Sequence, residues 1–203
     1  MRAPPLLAGF LLTMTALLLF PASAAAGQEV TFVLGTLIGD KLTDVTAAGR
    51  DRLSEDFENA PVYGARVGLL SFPFGLEGSL VVSPSNIDIG NAGSIDARLI
   101  YAEADIQILL FPGPISPFLS GGIGLHNIKL NVGSDPSETI VGYIIGGGIK
   151  AGLGTIGVRV DLRDHITPLD VQDLDVDFRD TLGLTDDTTL HNVELSFGLS
   201  VRF

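Results

Sequence analysis

The last thirteen residues, His191-Asn-Val-Glu-Leu-Ser-Phe-Gly-Leu-Ser-Val-Arg-Phe203, alternate without interruption. Val193, Leu195, Phe197, Leu199, Val201 and Phe203 fall on one phase, and Glu194, Ser196, Gly198, Ser200 and Arg202 on the other. A period of two, with one apolar face and one polar or small face, is the signature of a β-strand. The run closes the chain on an aromatic residue, and whatever fold this sequence adopts has to seat that strand.

Seven further runs follow the same rule. Glu29 to Ile38 sets Val30, Phe32, Leu34 and Ile38 on one phase; Val62 to Phe72 sets Tyr63, Ala65, Val67 and Leu69 against Gly64, Arg66 and Gly68. Leu76 to Val82 alternates apolar residues with Glu77 and Ser79, and Ile95 to Phe111 opposes Ile100, Ala102, Ala104, Ile106, Ile108 and Leu110 to Glu103, Asp105 and Gln107. Pro117 to Ile128 turns Leu119, Ile123 and Leu125 outward and Ser120, Gly122, Gly124 and His126 inward. Thr139 to Ala151 opposes Val141, Tyr143, Ile145 and Ile149 to Gly146, Gly148 and Lys150. Ile156 to Asp164 opposes Ile156, Val158, Val160 and Leu162 to Gly157, Arg159, Asp161 and Arg163.

The connections carry as much information as the strands. Pro73-Phe-Gly75, Pro112-Gly-Pro-Ile-Ser116 and Leu153-Gly-Thr155 are tight turns, whereas Gly39 to Asn59, Ser83 to Ser94, Asn131 to Ser137 and His165 to Leu190 read as longer polar loops. Long and short connections therefore alternate between eight strands, so all turns lie at one end and all loops at the other. The expected fold is all-β: an eight-stranded, antiparallel, up-and-down transmembrane β-barrel, with both termini on the turn side. Aromatics support the ends. Phe72, Phe74, Phe111, Phe118 and Phe203 cluster at the turn level, and Tyr63 and Tyr143 mark the opposite girdle.

Residues 1–26 read separately. Arg2 precedes an apolar run from Leu6 to Phe20 and a small-residue segment through Ala26, the pattern of a secretory signal peptide cleaved after Ala24 or Ala26. The expected domain organisation is thus a signal at 1–26 and a barrel over 27–203. Without Cys, neither an acyl anchor nor a disulfide framework is available. Loss of Arg2 leaves 11 basic against 24 acidic residues, a net charge of −13 that argues against nucleic acid as a partner.

Over nearly all of this span the chain resembles the small bacterial outer-membrane β-barrels that include the OmpA transmembrane domain and OmpX-like, porin-family proteins. The resemblance rests on Pro117-Phe-Leu-Ser-Gly-Gly-Ile-Gly124, Gly146-Gly-Gly-Ile-Lys-Ala-Gly152, Gly157-Val-Arg-Val-Asp-Leu-Arg-Asp164 and the terminal Phe-Gly-Leu-Ser-Val-Arg-Phe203. It implies a monomer in the outer membrane with periplasmic termini, contact with lipid and lipopolysaccharide, and recognition of the last strand, ending at Phe203, by the barrel-assembly machinery.

Inward phases supply Arg66, Lys150, Arg159, Arg163 and Arg202 against Glu77, Glu103, Asp105, Asp161 and Glu194, a balanced set. Because an eight-stranded lumen is only wide enough for side chains, and buried charges require partners, these groups are expected to pair and plug it. The alternative is a narrow channel for ions or small polar solutes, with Glu103, Asp105 and Arg159 as selectivity residues. No catalytic, cofactor or metal residues are assigned. Lipid A deacylase barrels resemble this architecture and carry a His-x-Ser pair, but the comparable segment here is His126-Asn127-Ile128. His126, His165 and His191 are read as polar rim residues. The glycine runs at 121–124 and 146–148 lack a strand–loop–helix context and read as space for neighbouring side chains rather than a phosphate loop. Asp173, Asp175 and Asp177, flanked by Asp170 and Asp180, would share one face if extended and could hold a divalent cation loosely. The same alternation would also allow a further pair of strands there.

Overall fold

The computed structural model describes residues 27–39, 41–42, 55–57, 59–88, 94–131, 136–170, 172, 174–176 and 188–203. The signal-peptide reading lies outside them. Eight long strands form the wall: β1 (Gly27–Ile38), β4 (Ala60–Ser71), β5 (Phe74–Asp88), β6 (Ser94–Leu109), β7 (Ile115–Leu130), β8 (Ser137–Leu153), β9 (Ile156–Leu169) and β10 (Thr188–Arg202). Each pairs antiparallel with its neighbours, and β10 returns to β1 from Glu29↔Arg202 to Ile38↔Val193, closing the sheet into a barrel. Closure removes the exposed edges that an open sheet would leave. The terminal alternating run is the seam, held by β1 on one side and β9 on the other.

Two short strands fall in the first long connection, where the sequence reads as loop throughout. β2 (Lys41–Leu42) pairs with β3 (Glu55–Phe57), and β3 pairs with the outer end of β5 at Asp56↔Asp88. The extra strand pair thus lies between β1 and β4. The segment around Asp173, where the alternation would have allowed one, falls partly outside the described residues.

Strands also run further at the loop end than composition suggests. β5 continues through Ser83 and Ser85, which point inward, and Ser83 Oγ donates to the carbonyl of Pro61 at 3.0 Å. β9 continues through His165, Thr167 and Leu169, all buried, so the expected loop from His165 begins five residues later. The reason is common to both: a strand whose inner face is polar has the composition of a loop. Only pairing with a neighbour distinguishes them.

At the turn end, Phe72-Pro73, residues 110–114 and Gly154-Thr155 join consecutive strands. Gly154 has φ +68°, a left-handed conformation that favours glycine. Phe72, Phe74, Phe111 and Phe203 project outward there, and Tyr63 and Tyr143 project outward nearer the loop end. Phe118 does not join the girdle. It is 2% exposed and lies in the lumen, because it shares the phase of Ser116 and Ser120. Phase decides which face a residue takes, and proximity to a turn does not.

The outer face between these levels is apolar and exposed, with Phe32, Leu34, Ile106, Ile123, Ile145, Leu162 and Phe197 among its residues. The interior has two parts. Toward the turns it is charged. Toward the loops it becomes a hydrocarbon core of Val33, Leu37, Val62, Val81, Leu99, Ile128, Leu130, Leu169, Leu174 and Leu190.

Interior packing depends on small residues opposite large ones. A Cβ at Gly148 would strike the carbonyl oxygen of Val160 and come within 3.0 Å of the Phe118 ring, whereas one at Gly121, on the outer face, would meet nothing nearer than 3.7 Å. Gly148→Ala is expected to destabilise the barrel by about 1–3 kcal/mol through overpacking, read as a lower urea midpoint for loss of the compact, heat-modifiable form on gels. Gly121→Ala should leave that midpoint unchanged.

Candidate functional site: a charged and histidine-bearing lumen

The charged half of the lumen is built from β9, whose inward residues Arg159, Asp161 and Arg163 follow one another up the strand. Arg159 forks onto Asp161, with Nε to Oδ2 at 2.8 Å and Nη2 to Oδ1 at 2.5 Å, and reaches Glu77 Oε2 on β5 through Nη1 at 2.5 Å. Arg163 donates to Glu77 Oε1 at 2.5 Å and to Asp105 Oδ2 on β6 at 2.9 Å. From β4, Arg66 meets Asp161 Oδ2 at 2.9 Å and also donates to Glu194 on β10. β5 and β9 stand on opposite sides of the ring of strands, so these bonds cross the lumen.

Nearer the turns, Lys150 Nζ donates to Glu29 Oε1 at 3.0 Å, and Arg202 Nε donates to Glu29 Oε2 at 2.7 Å. The Phe118 ring lies beneath two cations, 5.3 Å from Lys150 Nζ and 5.0 Å from the Arg159 guanidinium carbon. Cations over an aromatic face gain from its quadrupole, more so when water is excluded.

Above the arginines is a layer that the sequence reading places at the rim. His165 and His126 are both fully buried. His126 Nε2 faces Glu103 Oε1 at 3.0 Å and its Nδ1 faces Thr167 Oγ1 at 2.6 Å. His165 Nδ1 faces the same Glu103 oxygen at 2.7 Å, and its Nε2 faces Glu194 Oε2 at 3.1 Å. Tyr101 holds both rings, stacked on His165 at 4.2 Å and edge-on to His126 at 4.8 Å, while its hydroxyl accepts from Asn192 Nδ2 at 2.9 Å. His191 alone behaves as a rim residue: on the outer face it meets Asp164 Oδ2 at 2.8 Å.

The inward phases thus place Arg66, Glu77, Glu103, Asp105, Lys150, Arg159, Asp161, Arg163 and Glu194 in the interior, with Arg202 partly open at the mouth. Two groups escaped that reading. Glu29 adds a sixth acid to the five, and Tyr101 organises the histidine layer. Both were available from phase, since Glu29 precedes outward Val30 and Tyr101 is two residues from Glu103. His165 adds a partner for two of these acids, its two nitrogens facing Glu103 and Glu194.

Chemically, Thr167, His126 and Glu103 follow the order hydroxyl, imidazole, carboxylate of a hydrolase relay. All three are sealed from solvent. Glu103, His126 and His165 also bring one potential metal-ligating atom each to within 4.8 Å of one another. Of the acidic loop residues, Asp170 and Asp175 are exposed, Asp170 Oδ1 accepting from Gln172 N at 3.0 Å and Asp175 N donating to Glu138 Oε1 at 2.6 Å. Asp173, Asp177 and Asp180 lie outside the described residues.

Removing one member of a buried ion pair leaves the other uncompensated. Arg159→Met is expected to cost about 3–5 kcal/mol, read in the same urea titration. Arg159→Met combined with Glu77→Gln should cost less than the two single changes added together, the coupling a double-mutant cycle measures.

No protein-family model matches the sequence, and no curated protein matches it. Solved structures do. Neisserial surface protein A is similar over 90% of this chain and 100% of its own, with 13% identity and a TM-score of 0.58. OprG from Pseudomonas aeruginosa is similar over 88% and 96%, at 12% identity and a TM-score of 0.58. Ail, the attachment invasion locus protein of Yersinia pestis, solved with the heparin analogue sucrose octasulfate, is similar over 86% and 98%, at 11% identity and a TM-score of 0.50. The chain has the fold of the small outer-membrane β-barrels, as the resemblance to OmpA- and OmpX-like proteins implies.

Proposed function

We propose that this protein is an outer-membrane anchor with a closed lumen, whose function lies in what its loop end presents to the outside. Location follows from the belt: a ring of outward Phe, Leu, Ile and Val side chains, more than half exposed at Phe32, Leu34, Ile106, Ile145 and Phe197, is a surface that lipid covers and water does not. The turns and both termini then face the periplasm, and the loops face outward. Lipid and lipopolysaccharide contact the belt, and the assembly machinery reads the strand ending at Phe203.

The observation that carries the closed reading is the stacking of two different seals in one lumen. Paired charges fill the lower part, and above the histidine layer the interior is hydrocarbon, with Leu37, Val62, Val81, Leu99, Leu130, Leu169 and Leu190 essentially without exposure. A polar solute that threaded the ion pairs would next meet an apolar constriction, which gates by excluding water. Extension of the strands past the Tyr63 and Tyr143 girdle suits a rigid stalk, since recognition loops work best on a fixed scaffold. The surface-protein and attachment names of two similar structures agree with such a role.

Planar-bilayer recording of refolded, heat-modifiable protein tests this, with a loop-shortened variant beside it. Full-length protein should give no stable conductance steps. Reproducible, ion-selective steps from folded full-length protein would replace the anchor with a small channel, selected by Glu103, Asp105 and Arg159.

A further inference from the structure

We infer that Glu103, His126 and His165 form an enclosed binding site for one divalent transition-metal ion of the zinc, cobalt, nickel or copper class. This does not rest on whether the barrel conducts. Three observations converge on it.

The first is the donor set and its aim. Two imidazole nitrogens, His126 Nε2 and His165 Nδ1, point at a single carboxylate oxygen, Glu103 Oε1, from 3.0 and 2.7 Å. Two imidazoles and one carboxylate suit first-row ions of intermediate softness, whereas calcium and magnesium prefer oxygen alone. Metal–nitrogen bonds of about 2.0–2.1 Å place two nitrogens of a tetrahedral ion about 3.3 Å apart. The ligand atoms already lie within 4.8 Å of one another, so only small shifts are needed to bring them onto the ion. The ion then takes the place of any proton on the two facing nitrogens: that proton moves to the ring's far nitrogen where the ring is neutral and leaves for solvent or buffer where the ring carries two.

The second is the support behind each ligand. A metal-binding histidine characteristically donates its other ring N–H to a fixed acceptor. Here His126 has Thr167 Oγ1 at 2.6 Å behind it, and His165 has Glu194 Oε2 at 3.1 Å. Tyr101 fixes both ring planes.

The third is that space for the ligands is built into the neighbouring strands. A Cβ at Gly142 would collide with the His126 ring, and one at Gly124 would come within 2.5 Å of Glu103 Cγ. Each glycine faces its ligand's strand across a register pair, Gly142 two residue pairs from His126↔Ile140 and so on the same face, and Gly124 opposite Glu103. Larger residues at either position would expel the ligand from the lumen.

Enclosure sets how the ion enters. With the ion pairs below and hydrocarbon above, the folded barrel exchanges metal slowly, and loading accompanies folding. The test uses tag-free full-length protein refolded into detergent micelles with Zn²⁺ or Co²⁺ present, freed of excess metal, and checked for the heat-modifiable form. One tightly held ion per barrel is expected, with visible Co²⁺ ligand-field bands of a four- or five-coordinate site. His126→Gln/His165→Gln and Glu103→Gln should retain none, His191→Gln should retain the full amount, and Glu194→Gln should bind about 10–100-fold more weakly. Should the ligand variants fail to fold, pulsed electron paramagnetic resonance of Cu²⁺-loaded wild-type protein decides, since it counts coordinated imidazoles directly. Two imidazoles support the site; none or one overturns it. Folded wild-type protein without metal after refolding in its presence, or equal metal on the folded His126→Gln/His165→Gln variant, also overturns it.

Discussion

Everything in the lumen depends on one constraint: a charge removed from water needs an opposite charge and satisfied hydrogen bonds. Glu77 shows how far this reaches. Its two oxygens receive Arg159 and Arg163 from the opposite wall, while Lys150 Nζ lies 3.9 Å away. Asp161 binds Arg159 and Arg66, Arg66 reaches Glu194, and Glu194 reaches His165. The chain of contacts joins β4, β5, β8, β9 and β10 through the interior, at right angles to the ladders that join them around the wall. Ladder bonds alone fix neighbours. The lumenal network fixes strands that never touch.

The histidine layer sits where that network meets hydrocarbon, and its position explains its composition. Carboxylates there still need donors, and imidazole supplies them in less volume than a guanidinium. Imidazole is smaller, carries two nitrogens on one flat ring, and packs against Tyr101. It serves Glu103 and Glu194 at the polar level while presenting ring carbon to its surroundings. The same compactness allows two histidines to converge on one oxygen, the arrangement that makes metal binding a property of the fold rather than of a loop.

Where the structure departs from the sequence pattern, the causes are physical. Nearness to a turn suggests the girdle for Phe118, but its phase with Ser120 sets it inward. His165 and Ser83 read as loop residues because polar residues on the inner face of a strand have loop composition, and β2 and β3 are too short to leave a periodic trace. Glu29 and Tyr101 obeyed the alternation but stood outside the charged inventory, one at a strand end and one uncharged.

By itself the sequence determined what a two-residue period can determine: eight wall strands, the face each side chain takes, the alternation of turns with loops, and most of the charges that enter the lumen. Those follow from local backbone geometry, which every strand carries within itself. Only the tertiary structure decided which charges meet, that both inward histidines share Glu103, and that the polar interior gives way to a hydrocarbon cap. Contacts across a barrel depend on how far each strand is staggered against the next and on which strands face one another after closure, and no single strand encodes either.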